Sequence, residues 1–501
     1  MTALDWTIFA AYLLGVLALG SMLMRRKDRR AAGEYLLAGR SMHWLPVGLS
    51  VMVTAFSALN YLAFSTEIAR NGLYVALSLP VFVLVAPAIT RVIMPFFYPM
   101  RLTSAYEYLS RRFDSRVRRL ASAIFVLWRV AWLAVTLHAL CAVLAVVTGA
   151  PFPAMVVLVG GVATLYTLVG GMRAVMWTDV LQFGVLLVGI VAGVAVCAAR
   201  MPGGLVGLFH FAVDEGLTRP FQPYDPALFS LDPTVRITLP SALIGTFVAF
   251  LARYGADQVV LQRYFTARSL KDLRRSFHLN YVAAVVTLGS LAILGFAIHA
   301  FAARAGVSGK PVMVFGAFVA ALPAGLTGLI VAGFVAAAMS SVDSAIHSSA
   351  SAVLTDFARS GPAAAPSRQV RNARLLTLAL AVAGMTAALF VGRLGPLFAQ
   401  ANRIINGLGA PLLAIILAGM FTRWINAPGV LVGGLLGTLT SIAVSLTVDS
   451  LSLHYYAVVN LAITLTACMV ASLIASTLGH RPTRAQLSWT YAARRRATRG
   501  D

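Results

Sequence analysis

Apolar residues along this chain come in blocks of about 20, divided by short polar clusters. A block of that length spans the hydrocarbon core of a bilayer as a helix. Thirteen blocks qualify, at about 5–24, 45–68, 74–96, 117–148, 151–170, 174–198, 237–256, 277–303, 312–354, 372–392, 398–421, 427–449 and 453–478. The pattern predicts an all-α polytopic membrane protein with about 13 transmembrane helices. One membrane domain fills 1–480, and a basic tail follows over 481–501. The ninth block is longer than one crossing needs, so its cytoplasmic end is expected to project or to continue as a tilted helix.

Polar residues break this pattern in a few places. The second block reads "LPVGLSVMVTAFSALNYLAFSTEIARNGL", with Gly48, Thr54, Ser57 and Asn60 inside it. It permits a break near Thr54 to Ser57, and broken helices at mid-membrane are where transporters bind solutes and ions. The eleventh block opens "NRIINGLGAPLL", where Gly407, Gly409 and Pro411 weaken regular helix. The most polar stretch is "AAAMSSVDSAIHSS", Ala336–Ser349. At 100° per residue Ser340, Ser341, Asp343, Ser344, His347, Ser348 and Ser351 fall within an arc of about 160°. Such a stripe must face protein or a water-filled cavity. Close helix packing explains the serines, because small hydroxyl residues let helices approach. It does not explain Asp343, whose insertion costs about 2.5–3.5 kcal/mol. Hydroxyls, a carboxylate and a helix end are hard oxygen ligands, suited to a hard cation such as sodium. A nucleophile set built on Asp343 and His347, which are four residues apart, is the enzymatic alternative. Nothing in the sequence supplies an oxyanion hole for it.

Composition agrees with the spans. Of 501 residues 59% are hydrophobic and 11% charged, against about 25% charged in soluble domains. The formal charge of +23 raises nucleic-acid binding. However, the arginines cluster at span ends on alternate loops, which is the positive-inside pattern. The basic loops are "RRKDRRAAGEYLLAGR", "RLTSAYEYLSRRFDSRVRR", "QRYFTARSLKDLRR" and the C-terminal "GHRPTRAQLSWTYAARRR". They place the N-terminus outside and the C-terminus in the cytoplasm of a multi-pass cell (inner) membrane protein. The longest outer loop, about 201–236, is too short for a catalytic domain. The first block lacks a basic n-region and a cleavage motif, so it is expected to stay in the membrane. Cys141, Cys197 and Cys468 lie inside apolar runs and read as small core residues.

Two further charges interrupt apolar sequence. Asp179, in "GGMRAVMWTDVLQF", reads either as an interfacial carboxylate near Arg173 or as a cation or proton site. Arg129, in "FVLWRVAWLAV", needs a partner at that depth: an internal ion pair, or a substrate carboxylate. His138, nine residues on, reads as a core histidine.

Five motifs occur in a familiar order: "LLAGRSMHW" (Leu36–Trp44), "LTSAYEYLSRRF" (Leu102–Phe113), "LYTLVGGMRAVMWTDVLQ" (Leu165–Gln182), "DQVVLQRYFTARS" (Asp257–Ser269) and "AAMSSVDSAIHSSASAVLTD" (Ala337–Asp356). Over nearly its full length the chain resembles the bacterial branch of the sodium:solute symporter family. "FSALNYLAFSTEIARNG" looks most like the monocarboxylate, vitamin and iodide transporters. The resemblance implies a LeuT-like core of two inverted five-span repeats, about 45–198 and 237–421, and sodium-coupled alternating access. It implies a sodium site from the carbonyls of Val53, Phe56 and Ala337 and the hydroxyls of Ser340 and Ser341. A second cation site would use Asp179 with Ser340, Asp343 and Ser344. Members with that site often carry a small or hydroxyl residue where Asp343 stands here. Two carboxylates at one small cation would raise one pKa unless both are neutralised. The resemblance also places Arg129 where an arginine holds a sugar acid's carboxylate, with Ser57 and Asn60 in the same pocket. The expected partners are a small anionic solute, the coupling ion Na+ and the lipid bilayer, with no nucleic acid and no obligatory protein partner. The alternatives are a proton-coupled symporter using Asp179 and Asp343, a channel, a membrane enzyme, or a non-transporting membrane sensor.

Overall fold

A computed structural model describes residues 1–23, 32–219, 226–357, 366–394, 397–448 and 450–499. The basic run at 24–31 and most of "RPFQPYDP" lie outside the described residues. Every regular element among the described residues is helical.

The first helix, α1 (Ala3–Met22), starts in a capping box between Thr2 and Asp5. Asp5 also does a second job. Its Oδ1 accepts from the backbone N–H groups of Gly325 (2.7 Å) and Gly328 (2.9 Å). Those belong to the first turn of a distant span, where a carboxylate suits the positive end of the helix dipole. The second block does break. Helix α2 (Trp44–Ala55) ends at Phe56, and α3 (Ala58–Asn71) begins after Ser57. The third span starts with α4 (Val81–Ala88), passes through a π-helical turn at Ile89–Ile93 and runs on through Met94–Phe97. Helix α5 (Ser115–Thr148) and the 48-residue α6 (Phe152–Ala199) complete the first six expected spans. The fifth and sixth expected spans meet inside α6 at Gly171, whose φ of 61° and ψ of −174° suit only glycine.

The second group also opens on an interrupted span. Helices α7 (Leu239–Gly255) and α8 (Gln258–Thr266) meet at an angle of 51°. Hydropathy ends this span at 256 and leaves the charged residues that follow to a loop. In fact α8 is buried throughout. Then come α9 (Leu270–Ala305), α10 (Pro311–Ala320), α11 (Leu326–Asp356), α12 (Pro366–Val391) and α13 (Leu397–Phe421). The overlong ninth block is therefore two helices, divided at Pro323 and at Gly325 with φ +87°. Its surplus length lies before the crossing, not beyond it. The eleventh span, by contrast, does not weaken. α13 runs unbroken through Pro411. Gly409 serves packing there, since a Cβ would stand 3.0 Å from the Trp128 ring.

Two peripheral spans follow, α14 (Ala427–Thr447) and α15 (Tyr455–Thr477). The tail folds back as α16 (Tyr491–Arg499). It is held by the Gln486 amide on the Phe113 carbonyl (2.7 Å) and by Tyr491 against Phe96 and Phe421. By length and composition ten described helices, or eleven with the bent pair, suffice to cross a membrane. The expected count of 13 differs mainly where breaks leave short halves, such as the 12 residues of α2.

Helix α11 lies at the centre, against α1, α2, α5, α6 and α12. Its apolar side, expected to face away from the stripe, is buried as completely as the stripe.

Candidate functional site

The break in the second span sets the site. Phe56 (φ −106°, ψ 121°) and Ser57 (φ −116°, ψ 170°) are extended, so the last carbonyls of α2 lose their helical partners. α11 presents Ser341 to them, its Oγ 3.4 Å from the Thr54 carbonyl and 3.3 Å from that of Phe56. The Val53 carbonyl accepts from Phe56 N–H at 3.2 Å. Ser340 is fully buried, and its Oγ makes no hydrogen bond among the described residues. Val53, Phe56, Ala337, Ser340 and Ser341 all come from these two elements and all are buried. An orphaned hydroxyl beside weakly satisfied carbonyls at the negative end of a half-helix fits a small hard cation.

Around Asp179 the outcome differs from expectation. Arg173 is not its partner, but pairs with Glu34 at 2.8 Å. Instead the guanidinium of Arg263, from α8, fills the space between Asp179 and the serine helix, with both side chains wholly buried. It donates to Asp179 Oδ2 (3.2 Å), Ser50 Oγ (2.6 Å), Ser344 Oγ (2.5 Å) and the Val259 carbonyl (2.9 Å). Ser50 donates to the same carboxylate oxygen at 2.5 Å. Thr54 and Ser344 hydroxyls are 3.0 Å apart, and Ser344 also donates to Asp343 Oδ1 at 3.0 Å. The four residues expected at a second cation site do converge, but with a tethered cation among them. His347, the other half of the enzymatic alternative, packs its ring against Tyr35 at 5.3 Å.

A third cluster lies on the other side of the α2 break. Thr54, Trp128, Arg129, Trp132, Arg253 and Asp257 line a cavity of about 10 Å³, room for about one water. Arg129 finds its partner here. Its guanidinium is paired with Asp257 and lies 4.3 Å from the Trp128 ring centroid. Asp257 sits in the bend between α7 and α8 and caps α8 through Val259 N–H (3.0 Å). Arg253, on α7, donates to the Ala55 carbonyl at 2.5 Å. It therefore touches the backbone between the expected sodium carbonyls of Val53 and Phe56. Ser57 and Asn60 are hydrogen-bonded to each other at 3.3 Å and do not line this cavity. His138 Nδ1 lies 2.8 Å from the Ala388 carbonyl, as suits a core histidine.

Sequence reasoning missed Ser50, Arg253, Asp257 and Arg263. Both Arg263 and Asp257 belong to the motif Asp257–Ser269, but hydropathy ends the span before them. The readable signal was Gly255-Ala-Asp257, a helix stop followed by an N-cap residue.

The profile of the sodium:solute symporter family matches residues 35–437. The sodium-dependent multivitamin transporter of Oryctolagus cuniculus is 32% identical, over 86% of this chain and 69% of its own length. The chain belongs to the sodium:solute symporter family. Another relative, the sodium/sialic acid symporter NanT of Aliivibrio fischeri, is 28% identical over 91% of this chain and 90% of its own. The solved structure of a substrate-bound, outward-open Na+-coupled sialic acid symporter superposes with a TM-score of 0.83 at 22% identity. It covers 94% of this chain and 98% of that one. The fold is thus the LeuT-like one that the resemblance implied. As a sodium:solute symporter, the chain is a multi-pass membrane transporter with Na+ as its coupling ion, not an enzyme. The sensor and enzyme alternatives fall with that assignment.

Proposed function

We propose that this symporter takes up a small organic monoanion, of carboxylate type, together with one sodium ion. The observation that carries the reading is the charge lining this small cavity: two guanidiniums, Arg129 and Arg253, against one carboxylate, Asp257. Because Arg129 is already paired with Asp257, the surplus positive charge belongs to Arg253. Relatives whose names specify sialic acid and monocarboxylates favour the same substrate class.

In this reading sodium binds from outside between the α2 carbonyls and Ser340 and Ser341. It fixes the end of α2, and with it the Ala55 carbonyl that orients Arg253. The anion then draws Arg253 toward itself, Trp128 and Trp132 exclude water, and the bundle rocks inward. The N-terminus faces out and the basic C-terminus faces the cytoplasm. The Arg263 guanidinium takes the place of a second ion, so one sodium and one monoanion move no net charge. A second sodium would add a charge, and with it about 2.3 kcal/mol per 100 mV.

The test is a thermal-shift screen of small carboxylates on the purified protein in sodium against potassium, followed by uptake into proteoliposomes. Stabilisation by carboxylates in sodium only, with uptake indifferent to a potassium-diffusion potential, is expected. Stabilisation by neutral or cationic solutes alone would refute the anion, and uptake driven by the potential would refute the single sodium. Uptake that follows pH and ignores sodium would favour proton coupling through Asp179 and Asp343.

A further inference from the structure

Away from the transport site, four arginines surround one cavity. Arg91, Arg274, Arg494 and Arg495 line a space of about 360 Å³, with Phe96 and Tyr491 among its walls. A second cavity of about 550 Å³ shares Arg91 and Arg274 with it, and its other walls are largely apolar, including Val83, Pro87 and Tyr281. Neither cavity has an acidic side chain in its lining. The nearby carboxylate of Asp272 is engaged elsewhere, with Arg268 at 2.6 Å.

The local structure shows how the cluster is built. Arg91 sits on the π-helical turn Ile89–Ile93, a widened turn of the kind often found at functional sites. Arg274, early in α9, donates from Nε to the Thr90 carbonyl in the residue just before it, at 3.3 Å. Tyr491 packs on Phe96, with ring centroids 6.1 Å apart, and so brings the arginine run of α16 to the end of the third span. Three separate stretches of chain thus deliver positive charge to one place. Val83 and Leu84 on α4, and Val282 and Val286 on α9, are exposed large apolar residues. On a membrane protein such residues face lipid, so the second cavity opens toward the bilayer.

We propose that these joined cavities bind one anionic phospholipid. Its phosphate lies among the four guanidiniums, and an acyl chain lies along Val83, Pro87 and Tyr281. Basic pockets between spans on the cytoplasmic side are suited to such headgroups. A free phosphate would satisfy only the arginine cavity and would leave the apolar one unexplained. Because α16 contributes two of the arginines, the lipid would tie the tail to the third span and α9.

The test uses the full chain purified in mild detergent and titrated with phosphatidylglycerol, phosphatidylcholine or inorganic phosphate. Native mass spectrometry counts retained lipid, and melting temperature reports stabilisation. One phosphatidylglycerol should be retained per chain and should raise the melting temperature. Phosphatidylcholine and phosphate should do neither. Arg91→Gln with Arg274→Gln should weaken retention by about tenfold or more, the loss expected for charge-assisted hydrogen bonds. If that variant does not fold, Arg494→Gln with Arg495→Gln, in the tail, should give the same loss. Equal retention of phosphatidylcholine would overturn the proposal. So would full stabilisation by phosphate alone, or retention unchanged in the tail variant.

Discussion

Replacing Arg263 with methionine is the sharpest perturbation of the buried network. The guanidinium makes four hydrogen bonds, to Ser50, Ser344, the Val259 carbonyl and Asp179. Neither it nor Asp179 is exposed at all. Removing one member of a buried ion pair leaves the other uncompensated and costs about 3–5 kcal/mol. Arg263→Met and Asp179→Asn should each lose that much. If the losses were independent, the double variant would lose about 6–10 kcal/mol, as the sum of the two. Replacing both charges by neutral groups of similar volume is instead often close to neutral. The double variant should therefore be more stable than either single one. Thermal unfolding of purified protein, followed by tryptophan fluorescence, reads the difference. A truncating substitution, Arg263→Ala, has a second signature. Its emptied space is lined by Asp179, Ser50, Ser344 and Thr54, a hard-oxygen set. Sodium should therefore raise its melting temperature more than it raises that of the wild type, with potassium as the control. Strictly additive losses, together with an unchanged sodium response, would refute the idea that Arg263 stands in for an ion.

Arg253→Gln should raise the KM for the carboxylate by about tenfold or more, the cost of one charge-assisted hydrogen bond. Sodium binding measured without substrate should change less. Gly171→Ala should lower thermal stability by about 1–3 kcal/mol, because the backbone there is open only to glycine. A Cβ would also stand 2.9 Å from Tyr35 Cδ2 and 3.1 Å from the Tyr35 carbonyl oxygen. Denaturation of the purified variant checks this.

Hydropathy made the membrane class legible, and polar interruptions made the first break legible. Gly48, Thr54 and Ser57 disturb one apolar run enough to point to Phe56. The second break was not legible because α8 is only nine residues long and holds Arg263. A short half-helix with a buried arginine has the hydropathy of a loop. Its burial depends on Asp179, 84 residues earlier in the chain, and no local pattern encodes that pairing. The same reason hid Arg253. An arginine near a span end reads as an interfacial charge unless the contact with Ala55, 198 residues away, is known. At the eleventh span Gly407, Gly409 and Pro411 misled in the opposite sense. Close packing on Trp128 asks for the same small residue that a break would.

The central claim is that a sodium ion sits between the end of α2 and the hydroxyls of α11. Equilibrium binding of radiolabelled sodium to the purified chain, at constant ionic strength in choline, tests it without any knowledge of the solute. Saturable binding of one sodium per chain in the wild type, weakened by about tenfold or more in Ser341→Ala, is the predicted result. An unchanged affinity in a folded Ser341→Ala protein would contradict it.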